Sequence, residues 1–284
     1  MNAHASTHSV GMMAKVLKVS RSGYYAWRRR TESLRRGKDK ELVGRISEIQ
    51  KKVRYRYGSP RMTAELRRAG VHVGHNRVAR LMRTEGLSAR MRVKFRVTTK
   101  SGHSHRPAAN LLKREFTVVR SNSVWVSDIT YIATAEGWMY LCVILDLCGR
   151  SVVGWSLSKS LGTDLIIRAF GMAILRRRPD RGLLFHSDRG VQYASYEFRR
   201  ALRGHGFIQS MSRKGDCWDN ACAESFFKTL KTELIGRTIY QSRSAARTAI
   251  FEYIEVFYNR QRLHSHLGYR TPMEYEAWIE EKSG

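Results

Sequence analysis

The chain has 284 residues, of which 42% are hydrophobic, enough for one large domain with a buried core and one or two small ones. It has no apolar run of about 18 residues and no charged and apolar leader of the secretory kind, so we expect a cytoplasmic protein without membrane contact. The net charge of +28 excludes a typical small-molecule enzyme and indicates a polyanionic partner, with nucleic acid as the first choice. A basic surface that serves only solubility or membrane attraction is the alternative.

The positive charge is concentrated in the N-terminal part of the chain. Residues 1–119 hold 29 Lys and Arg against 7 acidic residues, whereas residues 120–284 hold 23 against 17. We therefore expect residues 1–119 to bind nucleic acid and residues 120–284 to have another role. Within a basic, helix-turn-helix-like segment over residues 1–50, the spacing of Met12, Val16 and Val19 predicts a short helix, followed by a turn and a second short helix.

A helix-turn-helix domain is predicted over residues 51–90. Pro60 can open its first helix and Gly70 can close it. A second helix then begins at His75 or Asn76 and runs for about ten residues.

The predicted second helix carries a basic side. Arg77 and Arg80 share that side, which makes them candidate DNA contacts of a recognition helix. An ordinary helical hairpin with a solvated charged face has the same pattern. Residues 91–119 are basic and lack periodicity, which predicts a linker that can lie along a phosphate backbone.

Residues 120–284 change to alternating strands and helices. Segments rich in β-branched and aromatic residues predict an antiparallel meander of three strands, followed by a helix, a fourth strand, a helix, a short fifth strand and two further helices. The predicted strands cover 123–133, 138–148, 151–158, 183–188 and 208–212. This order predicts an α/β fold, a ribonuclease H-like mixed five-stranded sheet with flanking helices, preceded by a small all-α helix-turn-helix region.

Three carboxylates fall on three different predicted elements. Asp128 lies inside the first strand in WVSDITY, Asp188 ends the fourth strand in HSDRG, and Glu224 lies on a helix in DNACAESFFKTLK. Each alone has a structural explanation, such as an ion pair or a strand-to-turn transition. Phosphodiester cleavage and transfer are served by two divalent ions, and Mg2+ prefers oxygen ligands. Together the three residues therefore predict a two-metal site.

Two lysines accompany the third carboxylate. Lys228 and Lys231 follow Glu224 at helical spacings of four and seven residues, so the acid and both cations share one face of the helix. This pattern predicts contacts between the lysines and DNA phosphates. An ordinary ion pair between Glu224 and Lys228 is the alternative.

Other polar residues near these motifs have structural explanations of their own. Asp146 could approach the site as a ligand, but a structural role, as partner of Arg150 or of backbone donors, is favoured. Asp219 and Asn220 are predicted to cap the helix of Glu224 rather than to bind metal. Four basic residues follow the last predicted helix and either meet phosphate or complement the dipole of the helix end: Arg260, Arg262, His264 and His266.

Several segments of the chain resemble a known family. The 35 residues between Asp188 and Glu224, with Lys231 seven positions further on, resemble the DDE signature of retroviral-integrase-like transposases. Longer segments are similar to OrfB, the second-frame protein of the IS-three insertion-sequence family: VSRSGYYAWRRR, RYGSPRMTAELRR, HSDRGVQYAS, SMSRKGDCWDNACAESFFKTLKTEL and YNRQRLHSHLGYRTPMEY. The resemblance covers nearly the whole chain.

The resemblance implies a DNA transposase that cleaves phosphodiester bonds at insertion-sequence ends and joins the freed 3′-hydroxyl to another strand, in DNA integration and recombination. Asp128, Asp188 and Glu224 would be its catalytic, metal-binding triad, holding two Mg2+ ions, with Mn2+ as a substitute. Lys231 would be the basic residue that contacts the element's end. The alternatives are a nuclease of the same fold that only hydrolyses, and a non-enzymatic DNA-binding regulator, against which the intact triad argues.

The resemblance also implies partners. Double-stranded DNA, as element ends and as target, is the first, and joining two ends implies a homo-oligomer on DNA. The chain shows no heptad seam of a leucine zipper, so an upstream-frame OrfA protein, separate or fused, is expected to complete recognition of the ends. The expected location is the bacterial cytoplasm, on DNA.

Overall fold

The computed structural model describes residues 1–30, 33–89, 107–213, 217–236 and 238–283. It begins with two short helices, α1 (Val10–Val16) and α2 (Arg21–Arg29), which confirm the predicted pair. A serine side chain caps the N-terminus of each helix, because the hydroxyl accepts from an otherwise unpaired backbone N–H. The apolar residues that predicted α1 are exposed: Met12, Val16 and Val19 retain 62%, 75% and 49% of their accessible surface.

The predicted helix-turn-helix is present as α4 (Ser59–Arg68) and α5 (His75–Thr84). Gly70 lies between them with a φ of +77°, a backbone conformation that glycine adopts without strain. A longer helix that the sequence did not predict, α3 (Leu34–Lys52), packs against both. Their shared core contains Ile46, Met62, Leu66 and Val78, each with no exposed surface. The domain boundary at residue 50 stays a prediction, although α3 spans it.

The predicted linker lies only partly within the described residues, because residues 91–106 are outside them. The remainder contacts residues 120–284, called the catalytic half from here on because the predicted active site lies in it. Leu112 is buried, and the backbone N–H groups of Leu111 and Leu112 donate to Ser210 Oγ. This part of the linker is therefore packed against protein.

The described part of the chain forms a mixed sheet of five strands. The antiparallel meander is confirmed, and the fourth and fifth strands add to it in parallel, in the order β3-β2-β1-β4-β5. The strands are β1 (Val124–Thr134), β2 (Gly137–Asp146), β3 (Val152–Ser158), β4 (Leu184–Ser187) and β5 (Ile208–Met211). Placing β4 beside β1 brings the middle of β1 to the carboxyl end of β4.

Helices cover both faces of the sheet. One face packs against α6 and α8, and the other against α9 and α10. The helices are α6 (Thr163–Arg177), α7 (Val191–Ala194), α8 (Tyr196–Gly204), α9 (Ala221–Leu230), α10 (Arg243–Phe251) and α11 (Pro272–Ser283). The sequence did not predict α7 or α11. Both α9 and α10 continue into π-helical turns, Lys231–Ile235 and Glu252–Tyr258.

One continuous hydrophobic core connects the helix-turn-helix region to the catalytic half. Buried apolar residues of α3, α4 and α5 belong to the same cluster as those of α9, α10 and one face of the sheet. The two regions therefore pack as one body through this face. None of the described helices is both long enough and apolar enough to cross a membrane.

Candidate active site

The two predicted aspartates occupy matching positions on neighbouring strands. Ser127 of β1 and Ser187 of β4 are the last paired residues of the parallel ladder, and Asp128 and Asp188 each follow directly. Residues at matching positions of parallel strands point to the same face of a sheet. The two carboxylates therefore lie side by side on one face. The sequence placed each aspartate on a strand but did not show that the two strands are neighbours.

Backbone donors orient both aspartates. Asp128 Oδ1 accepts from the Ile129 N–H at 2.8 Å, and Asp188 Oδ1 accepts from the Gly190 N–H at 2.9 Å. Each bond uses one carboxylate oxygen. Such charge-assisted bonds restrict the rotamer of a carboxylate.

Glu224 reaches the same region from helix α9. Val126, two residues before Asp128, lies in the apolar cluster that also contains Ala223 and Phe226 of α9, so α9 covers the face that carries the aspartates. Asn220, directly before α9, donates from Nδ2 to the Ser127 carbonyl at 3.1 Å. This bond fixes the start of the helix beside Asp128 and leaves Glu224 on the exposed side of its first turn.

The electrostatics place the predicted residues in one environment. Burial raises the pKa of Asp128 well above its usual range, and the charges of Asp188 and Glu224 raise it further, whereas Lys231 opposes the shift. Loss of hydration raises the pKa of Glu224 and lowers the pKa of Lys231, the latter against the effect of Asp128. The site thus gathers negative charge that one lysine offsets only in part, which favours binding of a cation.

The donor set fits a hard divalent cation, since it consists of carboxylate oxygens. Within the described ranges, no three side chains of His, Cys, Asp or Glu lie close enough together to hold one metal ion. Asp128 and Asp188 are fixed by adjacent strands, whereas Glu224 extends from a helix surface. Glu224 is therefore the one of the three predicted carboxylates whose position the sheet does not fix.

The prediction that Asp219 and Asn220 cap α9 is confirmed only for the position of Asn220. Asn220 occupies the capping position, but its side chain makes no capping bond and contacts β1 instead. Asp219 is fully buried and accepts hydrogen bonds from Asn110, Arg114 and Arg213. The bonds from Arg213 are the largest cause that holds the pKa of Asp219 far below its usual range. The charges of Arg114 and Arg213 compensate the buried carboxylate.

Asp146 has the structural role that was favoured for it, with backbone donors as its partners. It is fully buried and accepts from the N–H groups of Asn122 at 2.6 Å and Cys148 at 2.8 Å. Burial raises its pKa to about 6. Arg150 is occupied elsewhere and donates to the Phe116 carbonyl at 2.9 Å.

The predicted DNA-contacting side chains lie in different settings. Lys228 is exposed on α9. Arg77 and Arg80 on α5 both bind Asp39 of α3, at 2.8 and 2.7 Å, while their side chains keep 38% and 47% of their exposure. The two arginines lower the pKa of Asp39, Arg80 more than Arg77. Their contact with DNA stays a prediction.

Comparisons with known proteins bear on the whole chain. Family models described as integrase core domains match residues 118–217 and 224–278, and an HTH-like domain matches residues 37–95. Transposase InsF for insertion sequence IS3A of Escherichia coli K12 is 40% identical over 279 residues, which cover 96% of each chain. The chain belongs to the IS3 family of transposases. An uncharacterized 31 kDa protein of insertion element IS600 from Shigella sonnei is 42% identical over 93% of this chain and 97% of its own length.

More distant likenesses occur among solved structures. A chain of the simian T-cell lymphotropic virus intasome in complex with PP2A regulatory subunit B56 gamma aligns with a TM-score of 0.48 and 16% identity, over 81% of this chain and 74% of its own. The HTLV-2 integrase catalytic core domain in complex with magnesium aligns with a TM-score of 0.41 and 19% identity, over 55% and 95%. The family assignment rests on the sequence relatives and the family models alone.

Membership of the IS3 family confirms the predicted activity. The protein is a DNA transposase, an enzyme that cleaves DNA and transfers strands, with an integrase core and an HTH-like DNA-binding region. Its chemistry depends on divalent metal, and DNA is its partner. The non-enzymatic regulator is not favoured.

Proposed function

We propose that Asp128, Asp188 and Glu224 are the catalytic residues of this transposase and together hold two Mg2+ ions, for which Mn2+ can substitute. The observation that carries the proposal is the parallel register of β1 and β4, which sets the two aspartates side by side. The charge of Glu224, from the helix packed over them, also acts on Asp128. A divalent pair supplies an activated oxygen nucleophile and a stabilised leaving oxygen.

The residues of the chain supply the geometry of this reaction. The sheet holds Asp128 and Asp188 through backbone bonds, and Asn220 holds the start of α9 to β1. A preorganised arrangement of this kind stabilises the transition state without reorganisation during the reaction. Phosphoryl transfer to water or to a 3′-hydroxyl needs no covalent enzyme intermediate, so no side-chain nucleophile is required.

Positive side chains around the triad are proposed to hold DNA. Lys231 lies within electrostatic range of Asp128, which suits a contact with the phosphate next to the cleaved bond at the element's end. Lys228 lies one turn earlier on the exposed side of α9. Arg77 and Arg80 are proposed to contact DNA from α5, exchanging Asp39 for phosphate oxygens.

The assembly and location are also proposals. Two element ends must be joined, which calls for a homo-oligomer bound to element ends and target. An upstream-frame OrfA protein, as a separate partner or fused, is proposed to complete recognition of the ends. The proposed place of action is the bacterial cytoplasm, on DNA.

A strand-transfer assay with Asp188→Asn tests the proposed triad. Labelled element ends are incubated with the protein, any OrfA partner and Mg2+, and cleaved and joined products are separated. The parent is expected to form joined products and the variant none, with DNA binding kept in both. Asp180→Asn is the matched control, because Asp180 is 82% exposed and its ion-pair partner Arg120 is also on the surface. Joined products from the Asp188 variant would refute the proposed triad. Cleaved but unjoined products from the parent would favour a hydrolysing nuclease.

A further inference from the structure

The DNA-binding helices and the catalytic domain meet at a buried polar cluster centred on Glu233. Glu233 and Arg262 are 5% and 3% exposed. Arg262 donates to both carboxylate oxygens, with Nε at 3.0 and 2.9 Å and Nη2 at 2.7 Å, and the Tyr253 hydroxyl donates at 2.8 Å. Arg61 of α4 brings its guanidinium to 3.7 Å from the same carboxylate. One carboxylate of the catalytic half thus faces an arginine from each side of the boundary.

The segment around Arg262 is also bound directly by the helix-turn-helix region. The Tyr57 hydroxyl donates to the Gln261 carbonyl at 3.0 Å and accepts from the Leu263 N–H at 2.9 Å. Arg61 Nε donates to the Leu263 carbonyl at 2.9 Å. Backbone groups of two residues are therefore held by two side chains of the other region, Tyr57 and Arg61.

This cluster lies at the end of the helix that carries the third carboxylate. Glu233 belongs to the π-helical turn that continues α9, two residues after Lys231 and nine after Glu224. The opposite end of α9 is bound to β1 through Asn220. A displacement of α4 would therefore act on α9 through Glu233.

Stability alone is a weak explanation for such a cluster. Replacing a buried ion pair by well-packed apolar residues is often neutral or stabilising, because removing charges from water is costly. Charge-assisted hydrogen bonds, in contrast, are directional and fix one relative orientation of the two regions. Apolar contacts alone fix that orientation less tightly. Arg262 was predicted either to meet phosphate or to complement a helix dipole, and its burial against Glu233 replaces both alternatives.

We propose that Glu233, Arg262, Arg61 and Tyr57 form a spacer that fixes α5 relative to the catalytic carboxylates and so determines which phosphodiester at the element's end is cut. These are positioning residues, and their role rests on the proposed triad and on DNA reading by α5. Successive nucleotides along one strand advance by about 3.4 Å. A looser boundary would let the helix-turn-helix stay on its site while the carboxylates reach neighbouring phosphates.

Mapping the cut position at single-nucleotide resolution tests the spacer. The variants are Tyr57→Phe, which keeps the buried ring and removes only the hydroxyl, and Tyr57→Phe with Arg61→Gln, which also removes the charge. Both are expected to bind element ends as the parent does and to show a several-fold larger fraction of cuts at neighbouring positions, more in the double variant. The matched control is Arg54→Gln, which removes an exposed ion pair with Glu252 across the same boundary and should keep the parental pattern.

The outcomes separate the spacer from a merely structural role. Folded variants that cut at the parental position, with or without a lower rate, overturn the proposal. Arg61→Lys in the Tyr57→Phe background retains a cation. This variant is expected to cut at fewer neighbouring positions than the double variant with Arg61→Gln, and an equal spread of cut positions would count against the spacer. Failure of the triad is a separate result, because it would appear as joined products from Asp188→Asn.

Discussion

Asp219 offers a prediction whose size follows from its contacts. It is fully buried two residues before α9 and accepts hydrogen bonds from the linker residues Asn110 and Arg114 and from Arg213 after β5. Asp219→Asn keeps the volume of the side chain but removes its charge and replaces one acceptor oxygen by a donor. The variant should therefore weaken the junction between the linker, β5 and the start of α9.

The expected loss is about 3 kcal/mol in the free energy of unfolding. Removing one partner of a buried ion pair costs about 3–5 kcal/mol. The side chains of Arg114 and Arg213 are 42% and 57% exposed, so both can turn toward water when their partner is lost, which places the cost at the lower end. Asp180→Asn, which breaks an exposed pair with Arg120, should cost less than about 1 kcal/mol.

Urea unfolding of the two variants and the parent, repeated over a range of pH, measures the loss in the free energy of unfolding. The pKa of Asp219 is held far below its usual value in the folded protein. Its stabilisation is therefore fully present above the unfolded value of about 3.9, declines as the pH falls below that value, and is lost completely only below the lower pKa of the folded protein. The free energy of unfolding of the parent should therefore exceed that of Asp219→Asn by a constant margin from about pH 5 to 8. This margin should shrink below about pH 4. A margin under about 1 kcal/mol at pH 7, or a margin as large at pH 3 as at pH 7, would refute the reasoning.

Three further predictions concern packing and DNA. Gly154→Ala should cost about 1–3 kcal/mol in urea unfolding, because an added Cβ would lie 2.8 Å from the Ala173 Cβ, whereas Gly171→Ala, with open space around it, should not destabilise. Lys231→Ala should lower affinity for element ends and strand transfer at an unchanged melting temperature, and unchanged binding and transfer would remove its role. Affinity should fall steeply with salt, and Arg77→Ala should reduce the slope of log K against log salt by about 1 if it meets phosphate.

The sequence predicted the catalytic half well because its elements are defined by local patterns. The strands from 123 to 158 alternate β-branched and aromatic residues between turn residues, and the five strands appear where they were expected. Asp128 and Asp188 could each be placed on a strand. Their adjacency depended on β4 pairing with β1, a long-range choice that only the resemblance to integrase-like proteins implied.

The contacts that hold the site together were beyond local patterns. Asp219 and Asn220 precede a helix, which predicts caps, but Asp219 accepts from Asn110, 109 residues away, and Asn220 donates to Ser127, 93 residues away. Arg262 similarly pairs with Glu233, 29 residues earlier, and its neighbouring residues in sequence give no indication of burial. Helix α3 was missed because its apolar residues are few and its charges many, so its buried side is narrow.

The contacts that support the three proposed metal-binding carboxylates extend to the helix-turn-helix region. Two of them lie at matching positions of adjacent strands, where a sheet fixes them, but the third lies on a helix whose position is determined by what binds its ends. The start of α9 is bound through Asn220 and Asp219, and its far end through Glu233 to the helix-turn-helix region. In the proposed metal site, contacts at either end of α9 would therefore determine where Glu224 lies relative to the two aspartates.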